Sequence, residues 1–265
     1  MASQLGAWSH VPVIILAGGL GTRMREETEY RPKPMVDIGG HPMLWHIMKN
    51  FAAAGFREFI VAAGYRSEMI KEYFLNYRAL NSDVTVELRH PDKVKFHHPA
   101  SEDWSVTIAD TGPETPTGAR VLLAANYVAG DRFLCTYGDG LADVDFVQLC
   151  KHHEQKKLLA TVTTVRPTSR FGVADIGTDG VIERFREKPQ VDGWVNAGFM
   201  VFERGALDYF DQTSMLEDKP MMRLAGDGQL AAFRHEGFWQ WMDTYRELVH
   251  LNELWQSGRA PWKTW

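Results

Sequence analysis

The sequence predicts an α/β protein built on a doubly wound, mixed but mainly parallel sheet, and three observations carry that expectation. Val11–Ala17 is a continuous apolar run rich in Val and Ile, stopped by Gly18 and Gly19, as a strand buried on both faces would be. A glycine-rich loop follows it directly. Met43–Ala54 then carries apolar residues at helical spacing, Gly55 ends it, and Phe59–Ala63 resumes as a strand, which is the strand–loop–helix–strand order of parallel pairing.

The remaining elements follow in order. Ser67–Tyr77 is a second amphipathic helix with Ser67 as its N-cap, which makes the first 80 or so residues a doubly wound half. Val84–Leu88 and Val106–Ala109 read as strands around a long polar loop that holds His90, His97 and His98. Thr117 caps a helix running through Val128, and Arg132–Tyr137 is a strand ending at Gly138-Asp139-Gly140. Asp145–Lys157 is helical and Leu159–Val165 is a strand. Val173–Ile176 and Gly180–Phe185 form a hairpin about Asp179-Gly180, and Trp194–Phe202 is a further strand. A helix over Thr244–Gln256 precedes a Pro- and Trp-bearing tail, and Trp255, Trp262 and Trp265 read as packing anchors or a subunit contact.

Composition excludes several classes. The chain has 265 residues, of which 45% are hydrophobic and 24% charged, so it can bury a full core without metal or disulfide staples. Its net charge is −5 and its basic residues are scattered, which leaves no electrostatic footprint for nucleic acid. Cys135 and Cys150 are the only cysteines and neither belongs to a metal-ligand cluster, so a reduced, cytoplasmic setting is expected. No apolar run approaches the ~20 residues that span a bilayer, and no membrane partner is expected. Residues 1–10 carry no Lys or Arg and read as a flexible extension, leaving 11–265 as a single domain.

Three constellations carry chemistry. In Leu16-Ala17-Gly18-Gly19-Leu20-Gly21-Thr22-Arg23, glycines leave the end of a buried strand, where bare backbone N–H groups can surround a phosphate and Arg23 adds a permanent cation. The run is neither GxGxxG nor a P-loop, so hydride-transfer and ATPase fingerprints fail. Lys33 lies between Pro32 and Pro34 on backbone expected to be extended, a cation positioned to stabilise charge on a transferring phosphoryl group. Asp139 follows the C-terminal end of an apolar strand, where open α/β sheets hold ligands, and Asp243 precedes the last helix. Together these carboxylates suit Mg²⁺, although an Asp at a helix start is also a common cap.

These residues, with Lys33-Pro34-Met35, Leu44–Met48, Asp110-Thr111-Gly112, Tyr137–Gly140, Arg170-Phe171-Gly172, Glu187-Lys188-Pro189, Asn196, Gly198-Phe199, Met242-Asp243-Thr244 and Pro261–Trp265, resemble the sugar-nucleotide nucleotidyltransferases. Within that family the sequence is most similar to the bacterial glucose-1-phosphate cytidylyltransferases, from Val11 to Trp265. The resemblance implies a Rossmann-like sheet with a small antiparallel sugar-binding subregion, a homo-oligomer, and a Mg²⁺ cofactor held by Asp139 and Asp243. It implies that Leu16, Ala17, Gly18, Gly19, Leu20, Gly21, Thr22 and Gly138 contact the nucleotide and that Arg23 and Lys33 serve its phosphates. Thr111, Thr115, Gly118 and Arg120 would line the cytosine and ribose side. Glu187, Lys188, Asn196 and Gly198 would hold the sugar phosphate.

The sequence departs from the glucose-specific pattern at six positions. Arg31 stands for Lys, Ala119 and Ala197 for Gly, Gln190 for a basic residue, Lys219 for an acid and Trp241 for Pro. The last four are expected on or near the sugar side. The implied reaction takes CTP and a hexose 1-phosphate, glucose first, to a CDP-hexose and pyrophosphate. Use of UTP, dTTP or another sugar 1-phosphate is the alternative, and a degenerate nucleotide-sugar sensor is a second one. A phosphomonoester is largely dianionic at pH 7, so the chemistry needs charge neutralisation more than a general base. An NAD-dependent epimerase would need GxGxxG and a Tyr/Lys pair, and the sequence offers neither.

Overall fold

The computed structural model describes residues 5–21, 24–98, 102–169 and 171–265, and of Arg25 and Glu26 the backbone alone. Seven strands form the central sheet: β1 (Val13–Ala17), β2 (Glu58–Ala63), β3 (Ser105–Asp110), β4 (Arg132–Tyr137), β5 (Ala160–Val165), β6 (Val195–Glu203) and β7 (Leu230–Arg234). Their order is β7-β5-β6-β4-β1-β2-β3. β6 runs antiparallel to both β5 and β4, while every other neighbouring pair is parallel. The mixed, mainly parallel, Rossmann-like sheet expected from the sequence is the observed architecture.

Alternation along β1 shows why its sequence reads as uninterrupted hydrophobicity. Val13, Ile15 and Ala17 enter one core and Ile14 and Leu16 the other. The first core is covered by α1 (Met43–Ala54), which buries Leu44, Ile47, Met48 and Phe51. It is also covered by α4 (Phe146–Lys156) and α6 (Tyr245–Gln256). The second is covered by α3 (Thr117–Ala124) and α5 (Lys219–Gly226), through Val121, Ala124, Met221 and Leu224. Burying a Leu or Ile side chain contributes roughly 1.5–3 kcal/mol, so a five-residue strand with no exposed residue is held mainly by these two faces.

Several local expectations change. Ser67 is not a cap: helix α2 (Ser67–Leu75) is preceded by Arg66 in the left-handed region, and the buried Ser67 hydroxyl donates instead to Asp110. Pro116 precedes α3, and Thr117, its first residue, accepts from the Leu216 N–H at 2.8 Å. That helix ends at Ala124 and passes into a 3-10 turn over Ala125–Tyr127. The polar loop after Val86 folds back as Val94–His97, pairing with Asp83–Val86, so His97 lies on a strand. Asp145 does cap α4, accepting from the Gln148 N–H, and Thr244 closes a capping box with Glu247 on α6.

The expectation that residues 1–10 lie outside the fold fails from Leu5 onward; residues 1–4 are outside the described residues. Gly6–His10 is a 3-10 turn, and Leu5 and Trp8 enter the first core. The Trp8 indole N–H donates to Glu154 at 2.8 Å, and the Arg132 guanidinium stacks on its ring. A tail with no charged residue reads as solvent-exposed only while its one large aromatic is discounted.

The C-terminal tail packs into the same core. Trp262 is fully buried, and its indole N–H points at His46 Nδ1 at 3.4 Å, while His46 Nε2 donates to the Ile38 carbonyl at 2.8 Å. Burial inside this ring of Trp45, Trp255 and Trp262 depresses the His46 pKa to about 4, keeping the imidazole neutral.

Candidate active site

The C-terminal ends of β1 and β4 open onto a cavity of about 670 Å³. This is the end of an open α/β sheet where ligands are held. Its floor is the glycine run leaving β1: Leu16, Ala17, Gly18, Gly19, Leu20 and Gly21 all line it. The Thr28 hydroxyl donates to the Gly21 carbonyl at 2.9 Å, and Gly21 has φ +61°, a conformation that favours glycine. Thr22 and Arg23, expected to complete the loop, lie outside the described residues.

Gly138 lines the cavity because two chain segments close on it. Its N–H donates to the Leu16 carbonyl at 2.9 Å, and a Cβ there would sit 2.8 Å from that carbonyl and from Pro34. The next residue is Asp139, whose carbonyl accepts from the Met242 N–H at 2.9 Å, bringing the two acidic segments side by side.

Lys33 joins them. Its ammonium donates to Asp139 Oδ2 at 2.6 Å and to Asp243 Oδ1 at 2.5 Å, and all three residues line the cavity. Residues 106 and 210 positions away in sequence thus meet at one cation. Lys33 is not on extended backbone but opens a 3-10 turn, Lys33–Met35, after an extended Pro32. It is also buried, with 8% of its surface exposed, because a bridging ammonium must leave most of its water behind. Asp243 is likewise not the cap of α6. That task falls to Thr244, and the Asp243 N–H donates to Glu247 at 2.6 Å, which leaves the carboxylate facing the cavity.

Arg120 lines the cavity, yet its guanidinium is spent on the protein. It donates to the Gly18 carbonyl at 2.9 Å, Thr111 Oγ1 at 2.5 Å, and the Gly112 and Pro113 carbonyls at 2.7 and 3.0 Å. It therefore clamps the glycine loop to the 111–115 loop. Gly18 and Gly64 leave the space that it fills, since a Cβ on either would lie within 2.4 Å of Nη1. Burial lowers its pKa and Asp110 raises it, but a guanidinium stays charged.

The other expected residues divide. Thr115 lines the cavity and donates to the Thr111 carbonyl. Thr111 is buried behind the wall, donating to the Ala63 carbonyl at 2.6 Å, and is not part of the cavity lining. Gly118 is a packing glycine whose absent Cβ makes room for the Ser214 carbonyl, and it too is not in the lining. Glu187 and Lys188 are exposed beside the hairpin Val173–Ile176/Ile182–Arg186 and do not line the cavity. Asn196 turns its side-chain oxygen onto the Gly198 N–H at 2.8 Å. Gly198 lies behind Tyr137 and Trp241, which do line the cavity.

Sequence reasoning assigned no role to Tyr137, Met215 or Glu217. Tyr137 meets Trp241 edge-on at 5.3 Å and donates its hydroxyl to Glu217; burial and that carboxylate push its pKa up and keep it protonated. Met215 comes from a loop far along the chain, docked on Thr117, and no local pattern marks it. Of the four departures expected near the sugar side, only Trp241 lines this cavity. Ala197 is buried, Gln190 lines a separate cleft, and Lys219 sits 3.9 Å from Asp211 on the outer surface.

Comparison with known proteins identifies the family and the fold. Residues 12–247 match the family model described as nucleotidyl transferase. A glucose-1-phosphate cytidylyltransferase of Salmonella typhimurium is 48% identical over 255 residues, covering 95% of this chain and 98% of that protein. A probable glucose-1-phosphate cytidylyltransferase of Bacillus subtilis is 42% identical over 254 residues, 95% of this chain and 99% of that one. In fold, the chain matches the crystal structure of a putative glucose-1-phosphate thymidylyltransferase from Bacillus anthracis with TM-score 0.67 at 19% identity, over 92% of this chain and 94% of that one.

Proposed function

Because the chain belongs to the nucleotidyl transferase family, we propose that it transfers the cytidylyl group of CTP to glucose 1-phosphate, forming CDP-glucose and releasing pyrophosphate. The observation that carries this reading is the meeting of Lys33, Asp139 and Asp243 on the wall of a glycine-floored cavity. In the reaction a phosphate oxygen of the sugar phosphate attacks the α-phosphorus of CTP, the bond to the bridging oxygen breaks, and pyrophosphate leaves. The nucleophile is already largely dianionic at pH 7, so the site must chiefly offset negative charge.

Enzymes of this family generally use a divalent metal, and the donor set here fits Mg²⁺. Two carboxylates bound to one ammonium are hard oxygen ligands already gathered around a cation, and Mg²⁺ commonly takes one or two carboxylates and completes its shell with phosphate oxygens and water. Bound there, Mg²⁺ would neutralise phosphate charge. Lys33 supplies a second cation at the same place, and the glycine backbone from Gly18 to Gly21 offers an unobstructed surface for the nucleotide. Arg120 holds that surface rigid without itself reaching for the base. The thymidylyl neighbour shows the fold alone, and the choice of cytosine rests on the cytidylyl relatives.

On the sugar side we assign Trp241 and Tyr137 to the acceptor end of the cavity, with Glu187, Lys188, Asn196 and Gly198 on the adjoining hairpin side. The buried free thiols Cys135 and Cys150 suit a reducing cytoplasm, and among the described residues no helix is long and apolar enough to cross a membrane. Exposed apolar residues on two hairpins, Val84 and Val94 on one and Ile182 and Phe185 on the other, support assembly into a homo-oligomer. The deciding assay follows pyrophosphate release with CTP, UTP and dTTP against glucose, galactose and mannose 1-phosphates. Preference for CTP with glucose 1-phosphate is expected. Preference for another base, or good use of another sugar with poor use of glucose, would overturn the assignment.

A further inference from the structure

The loop over 211–218 reaches the catalytic cavity from far along the chain, and its polar contacts converge on one carboxylate. Asp211 knots the start of the loop, accepting from the Thr213 N–H at 2.8 Å and from the Ser214 hydroxyl at 2.7 Å. The Ser214 carbonyl accepts from the Gly118 N–H at 3.1 Å, and the Leu216 N–H donates to Thr117 Oγ1 at 2.8 Å, so the loop is docked on the first turn of α3. Glu217 is what this docking delivers. One of its carboxylate oxygens accepts from the Thr117 hydroxyl at 3.1 Å, and the other accepts from the hydroxyl of Tyr137, 80 residues away at the end of β4.

Tyr137 is a wall residue, and its ring is already packed on two sides. It lines the cavity, meets Trp241 edge-on at 5.3 Å and lies against Gly198, where a Cβ would sit 2.6 Å from the ring. Its hydroxyl is the remaining point at which the ring can be held. Asn196 hydrogen-bonds the same phenol and accepts from the Gly198 N–H at 2.8 Å. A chain of bonds thus runs from Thr117 on α3 through Glu217, Tyr137 and Asn196 to Gly198 on β6.

Among the described residues no cation pairs with Glu217, and Lys219, two positions on, lies 3.9 Å from Asp211 instead. By charge alone, an unneutralised carboxylate beside a cavity for polyanions opposes substrate binding. Its presence fits a task that a carboxylate performs better than a neutral group, since a hydrogen bond to an ionised acceptor is about twice as strong as a neutral one. The same charge keeps the phenol protonated, so Tyr137 donates to Glu217 and does not act as a base.

We propose that Glu217 is a positioning residue for the acceptor: acting through Tyr137, it fixes the wall of the cavity against which the sugar 1-phosphate is placed. The proposal rests on the assignment of Tyr137 and Trp241 to the acceptor end. Glu217 is not part of the cavity lining, and without it the Tyr137 ring is held by packing and Asn196 alone.

The test is steady-state pyrophosphate release by the full chain with CTP and glucose 1-phosphate. Glu217 is exposed, so its variants should fold as the parent does. Glu217→Ala should raise the KM for the sugar phosphate roughly tenfold, the weight of one hydrogen bond to a charged group, and leave kcat and the KM for CTP within about twofold. Glu217→Gln, whose amide oxygen still accepts from the phenol, should fall between, roughly threefold above the parent. Tyr137→Phe keeps the ring and removes the same bond from its other side, so adding Glu217→Ala to it should change the KM by less than about twofold. Tyrosine ring-carbon NMR reads the bond without turnover: the Tyr137 resonance, assigned by its loss in Tyr137→Phe, should move in Glu217→Ala and move less in Glu217→Gln. A parental KM in Glu217→Ala, a KM for CTP that rises as much as that for the sugar phosphate, equal losses in the Gln and Ala variants, losses that multiply in the double variant, or an unmoved resonance would each overturn the proposal. Should the parent prefer another base or sugar, the reading of CTP and glucose 1-phosphate fails alone, and the same KM comparison is made with the pair it uses.

Discussion

Replacing Lys33 with Ala separates the two tasks that its position combines. Both carboxylates lie within 2.6 Å of its ammonium nitrogen, so their bonded oxygens are within about 5 Å of one another. Two unit charges at about 5 Å repel by about 3 kcal/mol at an effective dielectric constant of about 20. Asp139 and Asp243 are less than one-fifth exposed, so water screens them only in part. A loss of roughly 1–3 kcal/mol is expected in EDTA, seen as a fall in Tm of about 3–10 °C for a chain of this size. The loss exceeds what a solvated loop lysine would give, because Lys33 is buried between the two carboxylates. Mg²⁺ should raise the Tm of Lys33→Ala by more than it raises the parent's, since no ammonium competes for the carboxylates. Turnover should nevertheless stay at least roughly 10²-fold down at saturating Mg²⁺, as for loss of one strong electrostatic stabiliser. Scanning calorimetry in EDTA and in Mg²⁺, beside pyrophosphate release, reads all three quantities. If the variant melts with the parent in EDTA and Mg²⁺ shifts both alike, the ammonium is not holding the carboxylates together and the argument fails.

Other consequences follow from named contacts. Asp139→Asn or Asp243→Asn should lower turnover roughly 10²-fold and weaken the Mg²⁺-dependent Tm shift; near-normal turnover at limiting Mg²⁺ in both would remove them as metal ligands. His46 has its folded-state pKa depressed from 6.5 to about 4 by burial, so its contribution is complete above pH 6.5 and is lost as pH falls towards 4. Urea unfolding should show about 2–3 kcal/mol less stability at pH 4.5 than at pH 7 from this group, a component absent in His46→Gln. Arg120→Met should destabilise the chain by roughly 2–4 kcal/mol, because it leaves the Gly18, Gly112 and Pro113 carbonyls without their donor, and raise the KM for CTP; an unchanged Tm would mean the clamp is dispensable. Trp241→Leu should shift the KM for the sugar 1-phosphate about tenfold and that for CTP less than twofold, and the reverse pattern would move Trp241 to the nucleotide end.

The elements legible in the sequence are those whose signal is local. Met43–Ala54 is the observed span of α1 because its apolar spacing and its C-terminal glycine, at φ +117°, lie within one window. Arg132–Tyr137 is likewise the observed β4. Lys219–Gly226 and Leu230–Arg234 carry no such signal. The helix is eight residues long and opens Lys-Pro, and the strand at the sheet edge alternates buried Ala231 with exposed Ala232 in too short a run to separate from a loop. The hairpin Asp83–Val86/Val94–His97 was only half visible because its residues are partly or wholly exposed, so no buried face imposes a period.

The candidate site divides along the same line, and the division has a physical cause. Gly18, Gly19 and Gly21 announce themselves as a run within four positions, where Gly18 leaves the space that Arg120 fills and Gly21 adopts φ +61°. Asp139 and Asp243 are each visible as an acid at the end of a strand or the start of a helix, but their meeting is a property of β4 and a short strand, Trp239–Trp241, that pairs with Gly140–Ala142. That pairing sets Trp241 opposite Gly140 and carries Asp243 round to Lys33. The same short strand directs Trp239 towards the separate cleft that Gln190 lines and Trp241 into the cavity. One three-residue strand therefore fixes the meeting of Lys33, Asp139 and Asp243 and the place of Trp241 in the cavity wall. A Pro at 241, the residue expected there in glucose-specific relatives, would leave the backbone route to Asp243 in place while removing the indole that now fills the space between Gly140 and Gly198. The departure thus falls on the cavity wall beside Tyr137 and leaves Lys33, Asp139 and Asp243 in place, so variants at 241 are expected to alter how sharply sugar 1-phosphates are discriminated and to keep nucleotidyl transfer.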